Sequence, residues 1–344
     1  MRRARRPAAS TMPTLADVGR EAGVTAKTVS RVLNGDGPVA GRTRERVLAA
    51  VRRLGYRPNL MARNIRIGAR DATVGLVIPE LGDPFFGAVA GGVEHAVRAR
   101  GLTLIVGSSE ETAAREEALI ATFLNRRVSA LLIVPAAGGD HRHLRAERAA
   151  GLPVVFLDRP PARLTADCVV SANREGSRAG VAHLIARGHR RIGFVGDLPA
   201  LYTRRERLRG YRDALAAAGL PFERTLVTTG HGPEAAARAT LRLLGLREPP
   251  TALFAGNDLA ALGAVVALAR AGRKDVALVG FDDPPLAEAL DPPLTVVAQD
   301  PAGIGGAAAE LALARLDGDR SRARRTVVPT RLIARGSGEL PPPG

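Results

Sequence analysis

The chain has 344 residues and a formal net charge of +16, from 50 Lys and Arg against 34 Asp and Glu. At 46% hydrophobic it can build a sizeable core, so a disordered chain is excluded, and its length allows two or three domains. One cysteine, Cys168, excludes a disulfide framework and a cysteine zinc cluster, and no apolar run reaches the ~18 residues of a membrane span.

The charge is unevenly placed. Residues 1–70 carry 16 basic and four acidic side chains, a net of +12; the other 274 carry 34 and 30, a net of +4. A basic head on a near-neutral body points to a polyanion partner, nucleic acid before membrane. Residues 1–12, MRRARRPAASTM, read as a disordered basic arm without the apolar stretch of a signal peptide, and Met12 is an alternative start. A cytoplasmic location is therefore expected.

Residues 14–34 read TLADVGREAGVTAKTVSRVLN. Thr14 and Asp17 have the spacing of a capping box, and Leu15, Val18 and Ala22 share a helical face. Gly23 ends this helix. Thr25 can cap a second helix with Val29, Val32 and Leu33 inward. Two helices joined by a tight glycine turn make a helix-turn-helix. After a loop over 34–38, a third helix is expected from about Arg42 to Leu54, with Val47, Leu48, Val51 and Leu54 inward. The second helix would enter the major groove, presenting Ala26, Lys27, Ser30 and Arg31 to base edges. Lys27 and Arg31 suit guanine O6 and N7, Ala26 a thymine methyl. Thr25 and Thr28 are better placed for phosphates.

The phrases TVSRVLN at 28–34 and LGYRPN at 54–59 resemble the LacI/GalR (lactose/galactose repressor) family of bacterial transcription regulators, and the resemblance runs to about residue 336. It implies an N-terminal all-α helix-turn-helix head followed by an α/β periplasmic-binding-protein-like core of two Rossmann-like parallel-sheet lobes. It extends the DNA-binding set to Asn34, Tyr56, Asn59 and Ala62. Residues 58–66 match the family's hinge helix, which folds on DNA, pairs with its twin and wedges an apolar side chain into the minor groove. Ile65 holds the wedge position, where the family usually has leucine. Such a wedge unstacks a base step at a cost of roughly a few kcal/mol. Two departures stand in the head. Gly19 replaces the usual alanine, at about 1 kcal/mol of helix propensity. Ala40 replaces the usual serine, so the third helix loses an N-cap.

From Thr73 apolar runs alternate with helical stretches. Strands are expected at 73–79, 102–107, 130–134 and 153–157, and again at 191–195, 225–229, 251–255 and 276–280. Continuous apolar strands separated by helices indicate two parallel sheets, with a ligand near their C-terminal strand ends. Asp83, Phe85, Phe86, Asp158, Arg159, Asn173, Asn257 and Asp282 follow strands, and Arg207 lies in the ERLRGY segment, expected at a helix start. Each alone is a common turn or cap residue; together they define a candidate effector site. The family resemblance matches Asp158, Arg207, Asn257 and Asp282 to effector contacts and Phe85 and Phe86 to the pocket lining. Carboxylates, an amide and a guanidinium beside an aromatic face suit a sugar. Against this, Gly232 stands where many members have a stacking aromatic, Ala172 replaces a common aspartate, and the chain has no tryptophan. His231 reads as a surface turn residue, with a pocket role as the alternative. His141 and His143 read as a solvated helix start, and Cys168 as core. The helix carrying Ala307–Leu316 is expected to begin near the glycines at 303–306.

No Walker loop, HExxH or GxSxG motif is present, and no cofactor, metal site or catalytic residue is expected. The expected organisation is an arm over 1–12, a DNA-binding domain over 13–58, a hinge helix and linker over 59–71, and a core over 72–340. Within the core one lobe would take about 73–169 and 299–326, the other about 170–298 and 327–340. The whole reads as a repressor that binds a palindromic operator as a homodimer, or as a tetramer, under control of a small sugar-like effector. A periplasmic-type sugar-binding protein or a sugar-modifying enzyme is the alternative; the first lacks an export signal, the second a catalytic constellation.

Overall fold

The structure is a computed structural model that describes residues 13–34, 37–56 and 71–343. The expected arm over 1–12 and hinge helix over 58–66, with Asn59, Ala62 and Ile65, lie outside the described residues. The chain divides into two compact units, residues 1–71 and 72–344.

In the first unit, α1 (Leu15–Ala22) opens on the capping box: the Asp17 amide donates to Thr14 Oγ1 at 3.3 Å, and the Thr14 amide to Asp17 Oδ2 at 2.8 Å. Gly23, at φ 64°, ends it. Thr25 Oγ1 accepts from the Thr28 amide at 3.3 Å and starts α2 (Ala26–Asn34). α3 (Gly41–Leu54) begins at Ala40 with no side-chain cap. Val18, Ala22, Val29, Val32, Val47 and Ala50 form the core where the three helices meet. Leu48, expected inward, is instead 37% exposed, while Ala50 takes a buried place. Gly19 does more than weaken α1. A Cβ there would lie 2.7 Å from the Val24 carbonyl oxygen, so the glycine lets the turn backbone pack directly on the helix.

In the second unit the first lobe is built by β1 (Thr73–Ile78), α4 (Pro84–Arg98), β2 (Thr103–Ser108), α5 (Ala113–Asn125), β3 (Ala130–Ile133), α6 (Arg145–Ala149), β4 (Val154–Leu157) and β5 (Asp167–Ser171). The second lobe holds α7 (Asn173–Ala186), β6 (Ile192–Gly196), α8 (Tyr202–Ala217), β7 (Val227–Thr229), α9 (Pro233–Leu244), β8 (Ala252–Ala255), α10 (Asp258–Arg270), β9 (Ala277–Phe281) and β10 (Thr295–Ala298). The chain then returns: α11 (Pro301–Leu316) and β11 (Arg325–Val328) complete the first lobe, β12 (Arg331–Ile333) the second. Each sheet has six strands, ordered β11-β5-β4-β3-β1-β2 and β12-β10-β9-β8-β6-β7. Every pairing is parallel except β12 with β10.

Both faces of each sheet are covered, which is why the central strands read as unbroken apolar runs. In β3, Ala130 and Leu132 enter one core layer, Leu131 and Ile133 the other. On one face α4 and α11 approach at the backbone: a Cβ on Gly92 would lie 2.1 Å from Ala302 O, and one on Gly305 2.1 Å from Val89 O. The chain crosses between the lobes three times, at Ala172, at Gln299–Asp300 and at Pro329–Thr330. The lobe boundaries expected at 169/170 and 326/327 fall inside β5 and β11, because both strands run on in the first sheet to Ser171 and Val328. α11 starts at Pro301, capped by Asp300 through the Gly303 amide at 2.8 Å, so glycines 303–306 lie within it.

Candidate functional site

On the head, Ala26, Lys27 and Arg31 are exposed along one face of α2, and Thr28 and Ser30 are half-buried. No acidic residue occurs between Ala22 and Asn34, so this face is purely cationic. Thr25 is exposed, but its hydroxyl caps α2 and contacts Thr28 Oγ1 at 3.0 Å. Asn34 closes α2. Tyr56 is half-buried against the helical core, which makes packing part of its role.

In the body a cleft that encloses about 50 Å3 lies between the lobes at the C-terminal strand ends. Asp83, Phe85, Phe86, Asp158, Arg159, Arg207, Asn257 and Asp282 all reach its wall. Asp83 caps α4 by accepting from the Phe85 amide at 2.8 Å, which turns the Phe85 and Phe86 rings, edge to face at 5.2 Å, to the cleft.

Asp158 follows β4 at φ 60° and is buried. Its neighbour Arg159 donates to Glu111 Oε1 at 2.7 Å and to Pro135 O at 2.8 Å. Asp158 Oδ2 lies 3.3 Å from Arg159 Nε, while Oδ1 is buried with no hydrogen-bond partner. Burial holds the Asp158 carboxyl above its ordinary pKa, against the pull of Arg159 and Arg207.

Arg207 is the centre of the second lobe's wall. Its Nε donates to Asn173 Oδ1 at 2.7 Å and its Nη1 to Gly256 O at 2.7 Å. Its guanidinium carbon stands 3.8 Å from the centre of the Phe281 ring, a cation–π contact, and Nη1 lies 3.6 Å from Asp282 Oδ2. Asp282, at φ 75°, also accepts from Gln299 Nε2. Burial raises its pKa to about 6 in spite of Arg207. Arg207 sits in the second turn of α8, not at its start. Asn173 is buried behind Arg207, outside the wall: it orients the guanidinium.

Asn257 caps α10, accepting from the Ala260 amide at 2.8 Å, and gives its amide to Asp197 Oδ2 at 3.1 Å. Asp197 holds His231 Nδ1 at 2.8 Å, and that hydrogen bond raises the imidazole pKa. His231, exposed in the turn before α9, thus also lines the cleft. Asp197, Glu111, Asp258 and Gln299 complete the polar lining. Asp197 and Glu111 follow β6 and β2, the same signal that marked the others. Gln299 follows β10, which the apolar pattern had not revealed. The wall carries seven carboxylates (Glu80, Asp83, Glu111, Asp158, Asp197, Asp258, Asp282) against two guanidiniums. Most already hold partners within the wall: Asp83 the Phe85 amide, Glu111 the Arg159 guanidinium, Asp197 the Asn257 amide and His231, and Asp282 the Gln299 amide.

Of the other singled-out residues, His141 is fully buried, not solvated. Its Nδ1 accepts from the Ala162 amide at 3.0 Å, which leaves the proton on Nε2, 3.0 Å from Glu116 Oε1. His143 is exposed. Cys168 is buried in β5, where desolvation pushes its thiol up to about 12.

Residues 14–59 match the family described as bacterial regulatory proteins, lacI family, and residues 181–338 match the periplasmic binding protein-like domain. The HTH-type transcriptional regulator CelR of Thermobifida fusca is 35% identical over 98% of this chain and all of its own length. The HTH-type transcriptional repressor PurR of Photobacterium profundum is 31% identical over 91% of this chain and 95% of its own. Among solved structures, the lac repressor dimer bound to operator and an anti-inducer superposes with TM-score 0.81 at 27% identity, over 95% of this chain and 99% of that one. A CelR–cellobiose complex superposes with TM-score 0.70 at 33% identity, over 94% and 99%.

Proposed function

The chain belongs to the LacI family of bacterial regulatory proteins, and from that premise we propose that it is an operator-binding repressor whose cleft takes a sugar-like effector. α2 reads base edges with Ala26, Lys27, Ser30 and Arg31, while Thr25 and Thr28 face phosphates. The chain works as a homodimer on a near-palindromic operator, each head on one half-site. Residues 58–66 serve as the hinge between head and sensor, with Ile65 in the wedge position. The operator-bound lac repressor dimer supports this reading, and the CelR–cellobiose complex supports a saccharide in the cleft.

The observation that carries the effector assignment is Asp158 Oδ1, a buried acceptor without a partner on a residue of the cleft wall. A buried acceptor without its hydrogen bond costs about 1–3 kcal/mol, and a ligand hydroxyl would supply the missing donor. Asp158, Asn257 and Asp282 accept from or orient the ligand, Arg207 donates to it, and Phe85 and Phe86 cover an apolar face. The effector changes the lobe angle and so the pairing of the hinge helices. Such coupling is typically 1–3 kcal/mol, and it is reciprocal between the two sites. Nothing in this reading calls for a cofactor or a catalytic step, and the protein acts where the chromosome is, in the cytoplasm.

Two measurements test it. A duplex selected from a random pool should be near-palindromic, and its affinity should fall with salt at a log–log slope of about −0.9 per phosphate contacted. A thermal-shift screen against saccharides and nucleosides should find a stabilising ligand. A salt-independent duplex would sink the DNA reading, and stabilisation by nucleosides alone the sugar reading.

A further inference from the structure

A second cavity, of about 170 Å3, opens in the second lobe at the end remote from the cleft. Two elements run from one space to the other. Asp258, at the start of α10, lines the cleft, and Val265 and Leu268, further along the helix, line the cavity. From Asp258 to Leu268 the helix rises roughly 15 Å, so the two sites are separate. β9 runs the opposite way: Leu278 near its start lines the cavity, and Asp282 just past its end lines the cleft. Leu290 and Leu294, ahead of β10, and Leu340 of the C-terminal segment close the remaining walls.

The interior is apolar because Leu278 and Leu294, with Val276, belong to the core of the lobe. Four polar side chains reach the lining: Arg273, Lys274, Asp291 and Ser337. Ser337 is already committed, since its Oγ donates to Leu278 O at 2.6 Å and accepts from the Thr295 amide at 2.8 Å. Arg273 grips Asp275 through Nε and Nη2, at 2.7 and 2.8 Å. Lys274 and Asp291 are 85% and 93% exposed and 3.9 Å apart, which places them at the mouth and balances the charge there. An internal water needs about two to four polar partners, and these side chains offer it none inside. Water held so poorly is displaced with a gain in affinity by an apolar group.

We propose that this cavity is a binding site for a small uncharged aromatic molecule of one ring. Size fixes the ring count: an apolar cavity of about 150 Å3 takes up benzene, and 170 Å3 leaves room for one ring with a short substituent. Chemistry fixes the charge: the basic groups of the lining each have an acidic partner, and no free donor or acceptor side chain waits inside for a second polar group. The ring lies among Val265, Leu268, Leu278 and Leu340, and any hydroxyl it carries points to the mouth.

The full-length chain should be titrated calorimetrically with toluene, phenol and benzyl alcohol, and with benzoate as the charged counterpart. At least one of the three uncharged arenes should bind, and benzoate should bind about 3-fold or more weaker than that arene. Ala269 is an exposed residue of the cavity lining, so Ala269→Trp should fill the space from a position the fold tolerates and weaken arene binding about 10-fold or more. Ala269→Phe serves in its place if the tryptophan lowers the thermal midpoint of the free protein. The proposal is overturned if none of the three arenes binds, if benzoate binds as tightly as they do, or if the substitution at Ala269 leaves their affinity unchanged.

Discussion

Asp83, which caps α4 in the first lobe, and Asp258, which opens α10 in the second, both line the cleft, and the Asp83 charge acts on the Asp258 carboxyl across it. Burial raises both pKa values, to about 6 for Asp83 and about 7 for Asp258; the Asp83 charge raises Asp258 further, and the Asp282 charge raises Asp83.

This pair makes stability depend on pH with a definite sign. A carboxyl whose folded pKa lies above its unfolded value near 4 stabilises the fold below that value, and the contribution disappears as pH rises through the folded pKa. The unfolding midpoint should therefore fall between about pH 4 and pH 7. Asp258→Asn, which keeps a hydrogen donor at every pH, should flatten the profile over that window. An unchanged profile in the variant, followed by calorimetry, would show that the pair does not hold the proton.

Arg207 is buried with three hydrogen-bonding or ionic partners, so Arg207→Ala leaves Asp282 uncompensated. Breaking a buried pair in this way costs about 3–5 kcal/mol. Arg207→Lys keeps the charge but loses the fork that grips Asn173 and Gly256 together. The lysine variant should bind operator within about twofold of the parent and lose its response to effector, with ~1–3 kcal/mol of coupling gone. Retained induction in a reporter strain would remove Arg207 from the site.

In the head, Arg31→Ala should cost about 1–3 kcal/mol on the selected operator and relax the preference for one base pair. An equal loss on random duplex, read by competition binding, would make Arg31 a phosphate contact instead.

Gly19→Ala and Ala40→Ser separate propensity from packing. Ala40 sits at the N-cap of α3 without a side-chain bond, so serine there should add about 0.5–2 kcal/mol. By propensity alone Gly19→Ala should add about 1 kcal/mol. The Val24 carbonyl stands in the way of its Cβ, and a backbone atom yields poorly, so no gain or a loss is expected. Thermal unfolding of the two variants decides the matter: a stabilised Gly19→Ala would show that the turn moves aside freely.

Much of this molecule is legible along the chain because the signals are local. Thr14 and Asp17 need only each other to announce α1, and the central strands announce themselves by carrying no polar residue. Asp158, Asn257 and Asp282 were visible as polar residues that end such strands. What stayed hidden depends on partners far away in sequence. His141 looks solvated between arginines, yet Glu116 and the Ala162 amide enclose it. Asn173 looks like a wall residue, yet Arg207, 34 positions on, covers it. β10, β11 and β12 are short and half-polar, and β12 gains its place only by pairing antiparallel to β10. Leu48 faces outward because the helical period alone does not say which side of α3 the other two helices will occupy.

The three crossings at Ala172, Gln299–Asp300 and Pro329–Thr330 have a consequence for inheritance. Neither lobe is a continuous stretch of gene, so no single recombination point delivers one lobe without fragments of the other. The head, in contrast, is attached by one stretch of chain and travels whole. Exchange between related genes can thus hand an old sensor a new head in one event, while moving one lobe alone takes more than one exchange.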